Sequence, residues 1–177
     1  MINKKGDVWV SAVLYIALGM VIITIVLAAG IPLITQMKDR NTVAQTKRMM
    51  QSIDDNIRQV ATEGPGSQRV ISPLEIGSGQ LSINVDNDYL EWKMTTKNKM
   101  MEPGINFQEG TLNLKLDETI IEDQYNIIIA MNYTGLADVV TPENAPKGPF
   151  KGKYNLVITH TGDFDTAGTP KISLGLL

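Results

Sequence analysis

An α+β protein is predicted, with a long amino-terminal helix ahead of an all-β head of sandwich-like or small-barrel form. Three observations predict it. No charged residue lies between Asp7 and Lys38, apolar residues then recur at helical spacing as far as Val60, and from Gln68 the hydrophobic period changes to two.

The apolar stretch from Val8 to Ile34 exceeds the roughly 20 residues that a helix needs to cross a ~30 Å hydrocarbon core. An isolated span in lipid must satisfy its own backbone hydrogen bonds, so it is read as a helix. Gly19 and Gly30 weaken that helix, Pro32 removes a donor near its outer end, and Trp9 stands where an interfacial aromatic would. Upstream lie Lys4, Lys5 and Gly6, a short basic leader that meets Asp7. Ala28-Ala29-Gly30 imitates a secretory cut site, but the apolar run is longer than the ~7 to 15 residues of a signal-peptide core. The expected mature chain therefore keeps the run. Asp7 is expected either to cap the span or to balance a terminal amine.

Past Pro32 the residues Val43, Thr46, Met50, Ile53, Ile57 and Val60 alternate steps of three and four, which makes an amphipathic stripe. Arg48, Asp55, Arg58 and Thr62 fall on the other side, and Asp54 precedes Arg58 by four residues. The stripe is expected to lie mainly on the chain's own head, with neighbouring copies as the alternative. Glu63-Gly64-Pro65-Gly66 ends the helix, which from Val8 would be ~80 Å long at 1.5 Å per residue.

Leu81, Ile83 and Val85 alternate with polar residues, as do Leu90, Trp92 and Met94, and Asp86-Asn87-Asp88 joins the two runs as a hairpin. Leu112, Leu114 and Leu116 repeat the pattern. Tyr125 to Tyr133 reads as a central strand, Tyr154 to Thr161 and Lys171 to Leu177 close the series, and Val70 to Ile76, broken by Pro73, reads as an edge strand or extended link. Thr141 to Gly152 is the longest predicted loop. The expected domains are a leader at 1–6, a helix at 7–63 with its membrane segment at 8–34, and a β head at 64–177.

Net charge is −3, from sixteen basic and nineteen acidic residues, so no basic surface points to nucleic acid. The chain has no cysteine and a single histidine, His160, which rules out disulfides, thiolate chemistry and the usual zinc sites. His160 is read as a structural histidine. Asp163-Phe164-Asp165 with Gly168 faintly suggests a calcium loop, but Ala167 and Leu174 stand at two ligand positions, and an ordinary turn is expected. Neither Gly64-Pro65-Gly66 nor Gly77-Ser78-Gly79 has the spacing or lysine of a phosphate loop. No catalytic, cofactor or metal site is expected, and an enzyme is not. Asn132-Tyr133-Thr134 fits the N-glycosylation sequon, although Asn132 ends a strongly apolar strand.

The leader ending in Gly6, the apolar helix continuing as an amphipathic one, and the β head together resemble the type IV pilin family. The likeness is to its archaeal branch with the class III signal peptide. The resemblance implies cleavage by a prepilin peptidase at Lys5-Gly6-Asp7, between Gly6 and Asp7. It also implies a surface filament, built by assembly machinery from copies of the chain and used for adhesion. Ser11 is the fifth residue after the junction, where bacterial members usually have Glu and archaeal members commonly do not.

Removing Lys4 and Lys5 releases the amino end from the cytoplasmic face while keeping the apolar helix. Helices packed in a filament core would then replace lipid, at about 25 cal/mol per Å² of apolar area. Ala17 and Gly19 would allow close approach, and Gly30 and Pro32 would let the helix bend. Lys38, Arg40, Lys47 and Arg48 argue by charge count for the opposite orientation, whereas the leader-like junction requires a cytoplasmic amino end. A single-pass anchored β module that binds without polymerising is the second expectation.

Overall fold

The computed structural model describes residues 4–143 and 145–177, with side chains from Trp9 onward. Met1, at the start of the expected leader, and Asn144, in the expected long loop, lie outside the described residues, as do the side chains of Lys5, Gly6 and Asp7. The fold is α+β, with one long amino-terminal helix followed by a β head. The chain divides into two compact units, Met1–Asp39 and Arg40–Leu177.

Helix α1 spans Lys4–Glu63 and is not interrupted at Pro32. Thr24 and Thr35 each donate a side-chain hydrogen bond to the carbonyl four residues back, at 2.8 and 3.0 Å, so their hydroxyls are satisfied without water. Because the backbone is already helical at Lys4, Asp7 stands inside α1 and does not cap it. The stop falls where expected. Gly64 takes φ of 95°, a left-handed conformation that costs a residue with Cβ about 1–2 kcal/mol, and Ser67 Oγ donates to the carbonyls of Val60 and Gly64.

Eight strands follow: β1 (Gln68–Asn84), β2 (Tyr89–Thr96), β3 (Asn106–Glu109), β4 (Leu112–Glu118), β5 (Tyr125–Asn132), β6 (Asp138–Val140), β7 (Phe150–Phe164) and β8 (Pro170–Leu176). They form one mixed sheet in the order β3-β4-β5-β2-β1-β7-β8-β6, antiparallel except where β6 runs parallel to β8. The β1–β2 hairpin pairs Asn84 with Tyr89 across the expected Asp86-Asn87-Asp88 turn, and β5 is central, flanked by β2 and β4. Short β3 and β6 carry no alternating pattern long enough to be read in advance. The long loop is shorter than expected, since pairing of Phe150 with Leu81 starts β7 early.

β1 changes partner along its length. Residues 68–76 pair with β7 alone, whereas residues 80–84 pair with β2 and only Leu81 among them also meets β7, so the half containing Pro73 is flanked by a strand on one side, as its sequence suggested. Proline lacks a donor and sits at the register shift between Ile71 and Leu74. The second shift, between Ile76 and Leu81, contains Gly79 at φ 74°, where a Cβ would stand 2.6 Å from Lys93 O and 2.7 Å from the Trp92 ring. Only glycine fits this bend, and Trp92 Nε1 donates to Ser78 O across it at 3.0 Å.

Alternate residues of each main strand point inward and are buried, including Leu90, Trp92, Leu114, Ile129, Leu156 and Leu174. The stripe Val43, Met50, Ile53, Ile57 and Val60 joins them in one core. Leu112 in β4 and Ile172 in β8 are both fully buried, five strand steps apart, which is roughly 24 Å at ~4.8 Å per step. A helix about 10–12 Å wide cannot cover that width of flat sheet. Ala137, Met100, Met101 and Leu136, from the connections between strands, pack into the same core beside the stripe. The expected sandwich-like or barrel-like head takes the form of this single eight-stranded sheet.

Candidate functional site

The feature that distinguishes this molecule is an exposed apolar surface on the first unit. From Trp9 onward α1 contains a window of mean hydropathy 2.7, none of it buried, and it is long and apolar enough to cross a membrane. Trp9 is 76% exposed, and Leu14, Ile22, Val26 and Leu33 are all more than half exposed. Scattered exposed apolar residues are ordinary, but a contiguous surface of this kind requires an apolar environment.

The sequence-selected positions within it are not all on one face. Gly19 and Gly30 are eleven residues apart, which returns to within about 20° on an ideal helix, so they share a stripe. Ala17 is two residues from Gly19, and so faces the other way. A Cβ added at Gly19 or Gly30 would meet nothing within 4 Å, so neither glycine serves packing inside the single chain. Lys5, Gly6 and Asp7 lie on α1 ahead of this surface.

The second unit holds the amphipathic half of α1 through a polar network that sequence spacing revealed only in part. Asp54 is 3% exposed and accepts both Arg58 Nε contacts, at 2.9 and 3.0 Å, together with Thr111 Oγ1 at 2.8 Å from the β3–β4 turn. The hydrogen bond from Arg58 to Asp54 holds the guanidinium still more firmly protonated. Tyr133 is fully buried beside this group. Burial pushes its hydroxyl well above the ordinary tyrosine value, and the negative charge of Asp54 adds to the effect. The four-residue step between Asp54 and Arg58 was legible, but nothing local marks Thr111 or Tyr133 as partners. Lys47 bonds to Glu109 at 2.5 Å, a second tie from α1 to the β3 edge.

The remaining candidates resolve as local structure. His160 is 2% exposed, its Nδ1 accepts the Gly162 amide at 3.0 Å, and its ring meets Phe164 edge-on. Asp165 forms a turn, accepting the amides of Thr169 and Ala167 at 2.7 and 2.8 Å. These bonds, that of Thr169 foremost, hold its carboxyl below the usual range. Among the described residues no group of three or more His, Cys, Asp or Glu side chains could hold a metal ion. A groove of about 340 Å³ on the head is lined by Lys47, Met101, Glu102, Ile105, Phe107 and Leu114. Asn132 is exposed even though its strand is apolar, because strand alternation turns Met131 and Tyr133 inward and Asn132 outward. Comparison with protein-family models, curated proteins and solved structures finds no match.

Proposed function

We propose that this chain is a structural subunit of an extracellular type IV pilus-like filament. In this reading it is made as a membrane-anchored precursor, cut by a prepilin peptidase between Gly6 and Asp7, and polymerised with copies of itself through α1. Surface adhesion is the role such a filament would serve. The observation that carries the reading is the exposed apolar stretch that continues, within one unbroken helix, into a stripe buried in a folded head. A plain anchor needs about 20 residues and no helical continuity with the head. Here the helix extends nearly thirty residues beyond Ile34, to Glu63.

The chemistry of assembly is transfer from one apolar phase to another. Lipid first covers the stretch, and side-by-side helices then replace lipid at similar cost, so the step needs no strong driving force per residue. The Gly19 and Gly30 stripe, empty of neighbours in the single chain, suits close backbone approach by another helix. Loss of Lys4 and Lys5 in the cut would remove the charges that oppose withdrawal from the cytoplasmic face.

The test is amino-terminal sequencing of the protein from intact cells, with electron microscopy of detergent-free surface material. The expected result is a mature chain beginning at Asp7 within filaments. A detergent-bound monomer that begins at Met1 or Ile2 would overturn the proposal in favour of an anchored module.

A further inference from the structure

We infer that Asn132 is the acceptor of an N-linked oligosaccharide, a modification that rests on the reading of the head as extracytoplasmic. Asn132-Tyr133-Thr134 is the only Asn-X-Ser/Thr triplet in the sequence. Such a motif is common, and what sets this one apart is how the fold presents it. Asn132 and Thr134 are both exposed, while Tyr133 between them is fully buried and anchors the triplet to the core. Asn132 Oδ1 accepts the Thr134 amide at 2.8 Å. This bond holds the carboxamide by its oxygen, and among the described residues no acceptor holds Nδ2 and no hydrogen bond involves the Thr134 hydroxyl.

Access is also open. The ladder between β4 and β5 ends at Asn113 and Ala130, so Asn132 lies beyond the last β4 partner on that flank. Gly135 follows at φ 78° and is exposed, so the residue next to the triplet adds no side chain beside it. Tyr133 O accepts the amides of Leu136 and Ala137 at 2.8 and 3.0 Å, which fixes the turn. The triplet is thus a rigid, outward-facing corner with a reactive amide nitrogen and a hydroxyl two residues on.

The donor is an oligosaccharide carried on a lipid phosphate, used by a membrane transferase. Nδ2 forms a bond to the anomeric carbon, the bond from that carbon to the phosphate oxygen breaks with its electron pair leaving on the lipid phosphate, and one amide proton passes to a base of the transferase. Redox chemistry is not involved. A glycan here also reports topology, because such transfer takes place on the side of the membrane away from the cytoplasm.

The experiment is mass spectrometry of full-length protein from its own cells, following the tryptic peptide 116–147, with protease accessibility of the head on intact cells measured in parallel. The expected result is a peptide heavier by one oligosaccharide, returned to the unmodified mass by Asn132→Gln and by Thr134→Ala but not by Thr134→Ser. Thr134→Ala removes the hydroxyl and leaves the backbone bond to Oδ1, so it tests recognition without unfolding the corner. An unmodified peptide on externally accessible heads, or a modification that survives Thr134→Ala, overturns this inference alone. Heads that are inaccessible on intact cells overturn both it and the extracellular filament.

Discussion

Residues 9–34 and residues 43–60 belong to the same helix, yet they solve opposite solvent problems. In the first, apolar side chains surround the whole circumference: Ile22 is 53% exposed and nothing in the apolar window is buried. In the second, apolar residues occupy one stripe, and Met50, Ile53, Ile57 and Val60 have no exposed surface at all. Both are helical, and only the missing amide of Pro32 sets their backbone ladders apart. The difference teaches that helical structure says little about what a segment does, whereas the angular spread of its apolar residues says what must cover it. An all-round apolar surface requires lipid or several neighbours, and a single stripe can be satisfied by one sheet.

The contrast is broken most directly by making the same substitution in both stretches. Ile57→Ala should destabilise the head by about 2–5 kcal/mol through lost burial and a residual cavity, whereas Ile22→Ala should leave head unfolding within about 0.5 kcal/mol of wild type. Urea unfolding of full-length protein in detergent, followed by Trp92 in a Trp9→Phe background, measures both. Equal effects would mean that the first stretch is packed in the folded monomer. A smaller loss, about 2 kcal/mol, is expected for Asp54→Ala, which leaves Thr111 without its acceptor and removes Arg58's partner. Arg58 is 40% exposed and keeps water, so the full penalty of a stranded buried cation does not apply. Asp55→Ala, on the exposed side, should change stability by less than about 0.5 kcal/mol.

One further effect depends on pH. The folded Tyr133 hydroxyl stays protonated above the ordinary value of 10.0, at which the unfolded chain ionises. Its contribution is intact below about pH 10 and is lost as pH rises above that toward the folded value, at up to about 1.4 kcal/mol per pH unit. Urea melts between pH 8 and 11.5 should therefore show a steeper alkaline loss for wild type than for Tyr133→Phe, since Phe cannot ionise in either state. Parallel losses in the two proteins would place the hydroxyl in contact with water.

Much of the fold was legible because it follows from local periodicity. Val43, Met50, Ile53, Ile57 and Val60 are all buried as their spacing implied, and the Asp86-Asn87-Asp88 hairpin lies where its residue types placed it. Elements whose identity depends on a distant partner were not legible. β3 is exposed at every residue, and β6 has three residues and a parallel neighbour more than thirty positions later in the chain. Thr111 and Tyr133 were missed for the same reason, since they come near Asp54 only once the sheet has formed. Asn132 is an instructive intermediate case. Its strongly apolar strand argued for burial, and only pairing across β5 determined which face the odd residues would take.

By itself the sequence determined that there is a helix, that its first half must be covered by something apolar, where it stops, and that a β head with one buried face follows. Those properties depend on residues a few positions apart, and need only side-chain character and backbone geometry. Tertiary structure alone decided that β1 serves two neighbours, that eight strands join in one sheet, that Asp54 receives Thr111 from the β3–β4 turn, and that Asn132 faces outward. Each of these depends on which distant segments share the limited surface of one helix, a competition that is settled only when the whole chain is packed.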